Sequence, residues 1–181
     1  MARILPPLKD RVRPPVRVLF VGINPGMRSA AIGHHFAGFS NRFWKLLHES
    51  GLLPVPLRSE DDDRLPEWGY GITNLVPRAT PGIDTLAAAE YTAGLRTLRR
   101  KVRRWKPDVV ALVGVTLYRA IRTALSPGAR AAVSLGLQAE RFEGARLFVL
   151  PNPSGRNANF TYAEMLAAFR ALARYLKAVA R

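Results

Sequence analysis

The chain is 181 residues long, 48% hydrophobic and 23% charged, which is the size and balance of one self-folding domain and excludes a disordered or collagen-like chain. Its 28 Lys and Arg outnumber its 13 Asp and Glu, and the formal charge of +15 exceeds what solubility needs and points to a polyanionic partner. The absence of Cys removes disulfides, thiolate zinc sites, iron–sulfur clusters and Cys nucleophiles, and no apolar run reaches the roughly 18 residues of a spanning helix.

Residues 1–15 carry Pro6, Pro7, Pro14 and Pro15 and read as an extended surface arm, with residues 16–181 as a single domain. The arm has no hydrophobic signal-peptide core, so the cytoplasm is the expected location. Residues 17–22 form a nearly continuous apolar run, the signature of a strand buried on both faces. Residues 41–50 predict a helix, with Asn41 as N-cap, Phe43, Leu46 and Leu47 at helical spacing, and Gly51 as the stop. From 53 to 68 the periodicity fails. There the run Glu60-Asp61-Asp62-Asp63 reads as a solvated or helix-starting acidic turn, since it lacks the ligand spacing of a calcium loop.

Residues 70–76 are a short strand candidate. Residues 87–106 place Leu95, Leu98, Val102 and Trp105 on one helical stripe and Arg96, Arg100, Arg103 and Arg104 off it. A buried strand at 108–114, a helix at 116–125, a Ser126-Pro127-Gly128 turn, a strand at 146–150 and an amphipathic helix at 162–179 complete the chain. This alternation predicts a three-layer α/β/α domain around a central, mostly parallel sheet.

Ligands of such sheets bind beyond the carboxyl ends of the strands, where three unusual loops lie: Gly22-Ile23-Asn24-Pro25-Gly26, Gly71-Ile72-Thr73-Asn74 and Pro151-Asn152-Pro153-Ser154-Gly155. The first either forms a polar pocket or is a turn in which Asn24 caps its own backbone. No phosphate-loop motif is present. Between Gly33 and Trp44, Phe36 and Phe39 either stack on a base or plug the core. Adjacent His34 and His35 diverge, so no metal site is expected.

Together these loops resemble the mismatch-specific uracil and thymine DNA glycosylases. The similarity runs over residues 18–57, 69–86 and 147–160. Its motifs are Gly22-Ile23-Asn24-Pro25-Gly26, then Gly33-His34-His35-Phe36 through Asn41-Arg42-Phe43-Trp44-Lys45, and finally Asn152-Pro153-Ser154-Gly155-Arg156. The resemblance implies the uracil-DNA glycosylase fold and a monofunctional enzyme that flips uracil out of double-stranded DNA, especially from G:U mismatches, and hydrolyses its N-glycosidic bond at the start of base excision repair. Thymine or other damaged pyrimidines are further candidate substrates.

By the same resemblance Asn24 positions the water, Thr73 assists from the second strand end, and Phe36 stacks on the flipped base. The backbones of Ile23 and Phe36 meet the base's polar edge, with Gly26 and Asn74 lining the pocket. Ser29, shared with the uracil-preferring bacterial enzyme, implies uracil over thymine. Arg156 stands at the wedge position, and Gly155 and Asn157 flank it beside the opposite guanine. Arg28, Arg42, Arg78 and Ser154 are the expected phosphate contacts. Asp84 either caps a helix or lends the pocket a carboxylate. No metal or cofactor is implied, and a monomer, associated with a bacterial nucleoid through DNA, is expected. Only Lys45 among the Lys residues lies in the matched loops, within a predicted helix, which disfavours a Schiff base. Two other readings stay open: a Rossmann-like enzyme of a free nucleoside or nucleotide, and a non-catalytic basic domain that binds nucleic acid.

Overall fold

Five residues without a polar side chain, Val18–Gly22, form β1, and all five are buried. In the computed structural model, which describes residues 5–128 and 132–180, β1 is flanked in parallel by β2 (Tyr70–Asn74) and β3 (Val109–Val113). β5 (Ala145–Leu150) pairs parallel with β3, and β4 (Gly136–Phe142) closes that edge antiparallel, giving the order β2-β1-β3-β5-β4. The helices are α1 (Met27–Ile32), α2 (Phe43–Glu49), α3 (Ala88–Trp105), α4 (Val115–Leu125) and α5 (Tyr162–Val179). The three-layer class with a mostly parallel sheet is therefore the fold observed.

Strand residues alternate between two cores, as the two-residue period of a strand requires. Val18, Phe20, Ile72, Val109, Ala111, Phe148 and Leu150 pack with Phe43, Leu46 and Leu47 of α2 and Met165, Phe169 and Leu172 of α5. Leu19, Val21, Val110, Leu112, Leu147 and Val149 face Leu98 and Val102 of α3 and Leu117 and Ile121 of α4. α5 starts at a capping box in which Thr161 Oγ1 accepts from Glu164 N and Glu164 Oε2 accepts from Thr161 N, worth about 1 kcal/mol. None of the described helices is long and apolar enough to cross a membrane.

Four features depart from the sequence reading. β4 was not predicted, because this edge strand buries little besides Gln138 and Phe142, and its register shifts between Leu137 and Arg141. α1 was not predicted either, being a single short segment after Gly26. α2 begins at Phe43 and not at Asn41, whose Oδ1 accepts from Phe43 N at 3.0 Å in a side-chain turn ahead of the helix. The acidic run does start a helical segment, the 3-10 turns Ser59–Trp68, but Asp62 within it is fully buried and not solvated.

Asp62 is a hub. Its carboxylate accepts from Arg11 Nε at 2.9 Å and from His35 N at 2.9 Å, and contacts His34 Nδ1 at 3.1 Å. The same Arg11 exchanges two backbone hydrogen bonds with Ile72, each 3.0 Å, so the arm is laid along the outer edge of β2. Residues 1–4 of that arm lie outside the described residues.

Candidate active site

The connections leaving β1 and β3 diverge to opposite sides of the sheet, which makes the carboxyl end of β1 a topological switch point. Asn24 stands just beyond it. Its Nδ2 donates to Arg78 O at 2.9 Å and to Thr80 Oγ1 at 2.6 Å. A carbonyl can only accept. The Thr80 hydroxyl gives its proton to Gly82 O at 2.6 Å, so toward Asn24 it accepts too. Both amide hydrogens are thereby consumed, and Oδ1, which takes no hydrogen bond from any described residue, is left to accept from a ligand or water. Thr80 itself is buried, and its N–H donates to Pro25 O at 3.1 Å, which joins this loop to the turn after Asn24.

Gly22 lies opposite Asn74 in the parallel register. A Cβ on Gly22 would stand 2.7 Å from Asn74 Oδ1 and 3.5 Å from Phe36 Cζ, so a glycine there lets the carboxamide and the ring close over the strand end. Phe36 stacks one ring face on Phe43, with centroids 4.0 Å apart at 22°, and is half-buried. Its backbone is left-handed, φ 51°, a conformation costing a non-glycine residue about 1–2 kcal/mol. The neighbours hold it there: His35 N is bound to Asp62, His35 O accepts from Trp44 Nε1, and Ala37 N donates to Ser29 Oγ at 2.9 Å.

His35 sets the orientation of Asn74. Its Nε2 lies 2.9 Å from Lys9 O, an obligate acceptor, so Nε2 carries the proton. Burial pushes the imidazole pKa down, against the opposing pull of the Lys9 carbonyl and Asp62. The ring is therefore neutral, and Nδ1 accepts from Asn74 Nδ2 at a long 3.4 Å. Asn74 then turns its Oδ1 toward Gly22 and Phe36.

The third loop braces itself. Asn152 Oδ1 accepts from Ser154 N, Ser154 Oγ from Arg156 N, Ser154 O from Asn157 N, and Asn152 O from Asn157 Nδ2. Gly155 is seated against Ser40, and Pro153 O accepts from Arg42 N at 3.0 Å. Arg156 is exposed and reaches Pro81 O at 3.5 Å, so its guanidinium extends from the third loop toward the turn that anchors Asn24.

A family model described as the uracil DNA glycosylase superfamily matches residues 10–177, almost the whole chain. The chain belongs to that superfamily. Its fold is also that of a candidate uracil DNA glycosylase from Methanosarcina acetivorans solved by NMR in solution, with a TM-score of 0.62 and 16% identity over 97% of this chain and 99% of that one. Excision of uracil from DNA by a DNA glycosylase, a hydrolase of the N-glycosidic bond, is the activity of this superfamily.

Within this uracil DNA glycosylase fold, Asn24, Ile23, Gly26, Phe36 and Asn74 are brought to the ends of β1 and β2, and Gly155, Arg156 and Asn157 to the facing loop. Thr73 is not among them. It lies on the opposite face of β2 from Asn74, fully buried, with its hydroxyl 2.5 Å from Asp10 Oδ1 and 2.8 Å from Lys101 Nζ. Thr80 is the hydroxyl that meets Asn24, and sequence reasoning missed it because it sits in a loop, seven residues beyond the strand-end Thr. Arg78 is likewise committed: it grips Glu90 with two hydrogen bonds of 2.7 and 2.9 Å and holds that carboxyl at about 2, and it serves the site through its backbone carbonyl. The Arg78 side chain, expected at a phosphate, is paired with Glu90 here and is 51% exposed.

Ser29 is buried and its hydroxyl holds the loop after Phe36. Asp84 is exposed, its carboxylate folded over Gly82, and it neither caps the 3-10 turn Ile83–Thr85 nor bonds to Asn24. Ser154 and the Asn157 amide are used within their own turn. Arg28, in the first turn of α1, packs on Phe39, and Arg42, just ahead of α2, packs on Tyr162. Among the described residues no group of three His, Asp or Glu side chains is placed to hold a metal.

Proposed function

We propose that this chain is a monofunctional glycosylase that removes uracil from double-stranded DNA, with uracil mispaired to guanine as the preferred substrate, and that it acts as a monomer. The observation that carries this reading is the fixed carboxamide of Asn24, whose two hydrogens are engaged and whose oxygen takes no hydrogen bond from the described residues. That oxygen accepts a hydrogen bond from a water and holds the water toward C1′ of the flipped nucleotide. The glycosidic C1′–N1 bond breaks with its electron pair leaving on the base, the water oxygen bonds to the cationic C1′, and the water's proton passes to solvent.

A neutral amide is too weak a base to take that proton early, so most of the rate must come from stabilising the departing base anion and the sugar cation. Hydrogen bonds from backbone N–H groups around Ile23 and Phe36 to the base, with Phe36 stacked on its face, fit that requirement. Asn74 Oδ1 accepts from the imide N–H of uracil. Ser29 favours uracil over thymine through the Phe36 loop that it holds. Mispairing lowers the cost of extrusion, and Arg156 occupies the gap or contacts the orphaned guanine, with Gly155 and Asn157 beside it. Arg28, Arg42 and Ser154 lie toward the phosphates.

The test is an incubation with duplexes carrying U:G, T:G or U:A and with free deoxyuridine, scored for abasic sites and released base. Release from U:G is expected, with a fall of at least about 100-fold in Asn24→Ala while DNA binding persists. Cleavage of free deoxyuridine alone would move the chain to nucleoside chemistry. Binding without release would leave a nucleic-acid-binding domain.

A further inference from the structure

Phe39 is 90% exposed, far more than any other large hydrophobic side chain described, the next being Val179 at 57%. It stands at the tip of a hydrogen-bonded turn in which Asn41 N donates to Gly38 O at 3.0 Å. The turn is rigidly mounted. The following Ser40 packs on Gly155, Arg42 N is bound to Pro153 O, and Arg28 Nε is bound to Ala37 O at 2.8 Å. The Arg28 guanidinium lies over the Phe39 ring, 3.8 Å from its centroid, so the ring is oriented without being buried.

We infer that Phe39 is a second wedge, an aromatic side chain that enters the base stack of duplex DNA beside the position vacated by the flipped nucleotide. The inference rests on the glycosylase reading and adds to it a residue that the strand-end motifs do not supply. Phe39 is three residues beyond Phe36 and so within about 10 Å of it along the chain, and its neighbour Ser40 touches Gly155, the residue before Arg156. The turns that carry Phe39 and Arg156 are thus in contact with each other through Ser40 and Gly155, one bearing an aromatic and the other a cationic side chain. A base offers a π-face to the ring, and the adjoining phosphate offers a charge to Arg28. Apolar side chains inserted between base steps unstack and kink a duplex, which is the work that extrusion demands.

The experiment uses the full chain and a duplex with an abasic analogue opposite guanine and 2-aminopurine as the adjoining base. Wild type is expected to change the 2-aminopurine fluorescence at saturation. Phe39→Ala should lose most of that change, Phe39→Trp should restore it, and Val179→Ala, exposed on the far end of α5, should match wild type. With uracil substrates, the ratio of duplex to single-strand excision rate should fall about tenfold in Phe39→Ala, with an unchanged melting temperature. A Phe39→Ala protein that matches wild type in fluorescence, or that loses equally on duplex and single strand, overturns the inference. A wild type that releases no uracil sinks the glycosylase reading instead, and the fluorescence arm still decides Phe39.

Discussion

Asn24 and Thr80 are joined by a 2.6 Å hydrogen bond whose direction is fixed from outside the pair, because the Thr80 proton is already given to Gly82 O. The orientation of the carboxamide is therefore a property of the turn between Arg78 and Gly82 and not of Asn24 alone. Rotation of the amide would set its oxygen against two acceptors and forfeit both hydrogen bonds, at roughly 0.5–1.5 kcal/mol each in this partly exposed position.

Thr80→Val keeps the shape of the side chain and removes the acceptor. The single-turnover rate of uracil release is expected to fall about 10- to 100-fold, with DNA affinity unchanged, since only the aim of the Asn24 oxygen is lost. Thr80→Ser should recover most of the rate. A Val protein as fast as wild type would detach Thr80 from the chemistry.

The strand-helix order and the loop carrying Asn24 were legible because buried strands are apolar at consecutive positions and turns demand Gly and Pro. The surroundings of Asp62 and Thr73 were not legible, for one shared reason. Burial of a polar side chain depends on partners far away in the sequence: Arg11 for Asp62, and Asp10 and Lys101 for Thr73. The docking of the arm creates both environments, and its prolines gave no hint of a backbone pairing with Ile72. Thr80 and the His35–Asn74 contact were hidden in the same way, by loops that meet only in three dimensions.

His35 gives the protein a stability that depends on pH. Its folded pKa lies below the ordinary 6.5, chiefly because burial disfavours the charged ring. As pH falls below that value the unfolded chain binds the proton first, so stability is complete above it and is lost on acidification. The urea midpoint, measured from about pH 8 down to about pH 5, should drop more steeply in wild type than in His35→Gln. Parallel slopes would remove His35 as the source. Protonation of Nδ1 in the folded protein also opposes Asn74 Nδ2, so uracil capture should weaken too, but only at pH below the ordinary 6.5, where the buried ring gains its proton.

Gly155 is required by contact and not by backbone angle. A Cβ there would stand 2.5 Å from Ser40 Cβ, 2.7 Å from Ser40 Oγ and 2.8 Å from Ser40 O. Gly155→Ala should therefore separate the two loops and weaken binding to a U:G duplex by about tenfold or more, while the fold survives because both loops are surface segments. Adding Ser40→Gly removes two of the three obstructing atoms and should recover part of the affinity. A single Gly155→Ala protein with wild-type binding would mean that the loops can part freely.

Lys101 Nζ bridges Asp10 and Thr73, with 2.8 Å to Asp10 Oδ2 and 2.8 Å to Thr73 Oγ1, and so fastens the arm and α3 to β2 on the face away from Phe36. Thr73→Val deletes a fully buried hydroxyl from this cluster and should lower unfolding free energy by about 1–3 kcal/mol, read from urea denaturation. Because the hydroxyl faces Asp10 and Lys101, the chemical step should stay within about a factor of two of wild type. A rate loss as large as that of Asn24→Ala, in a protein of normal stability, would return Thr73 to the water site and displace Thr80 from it.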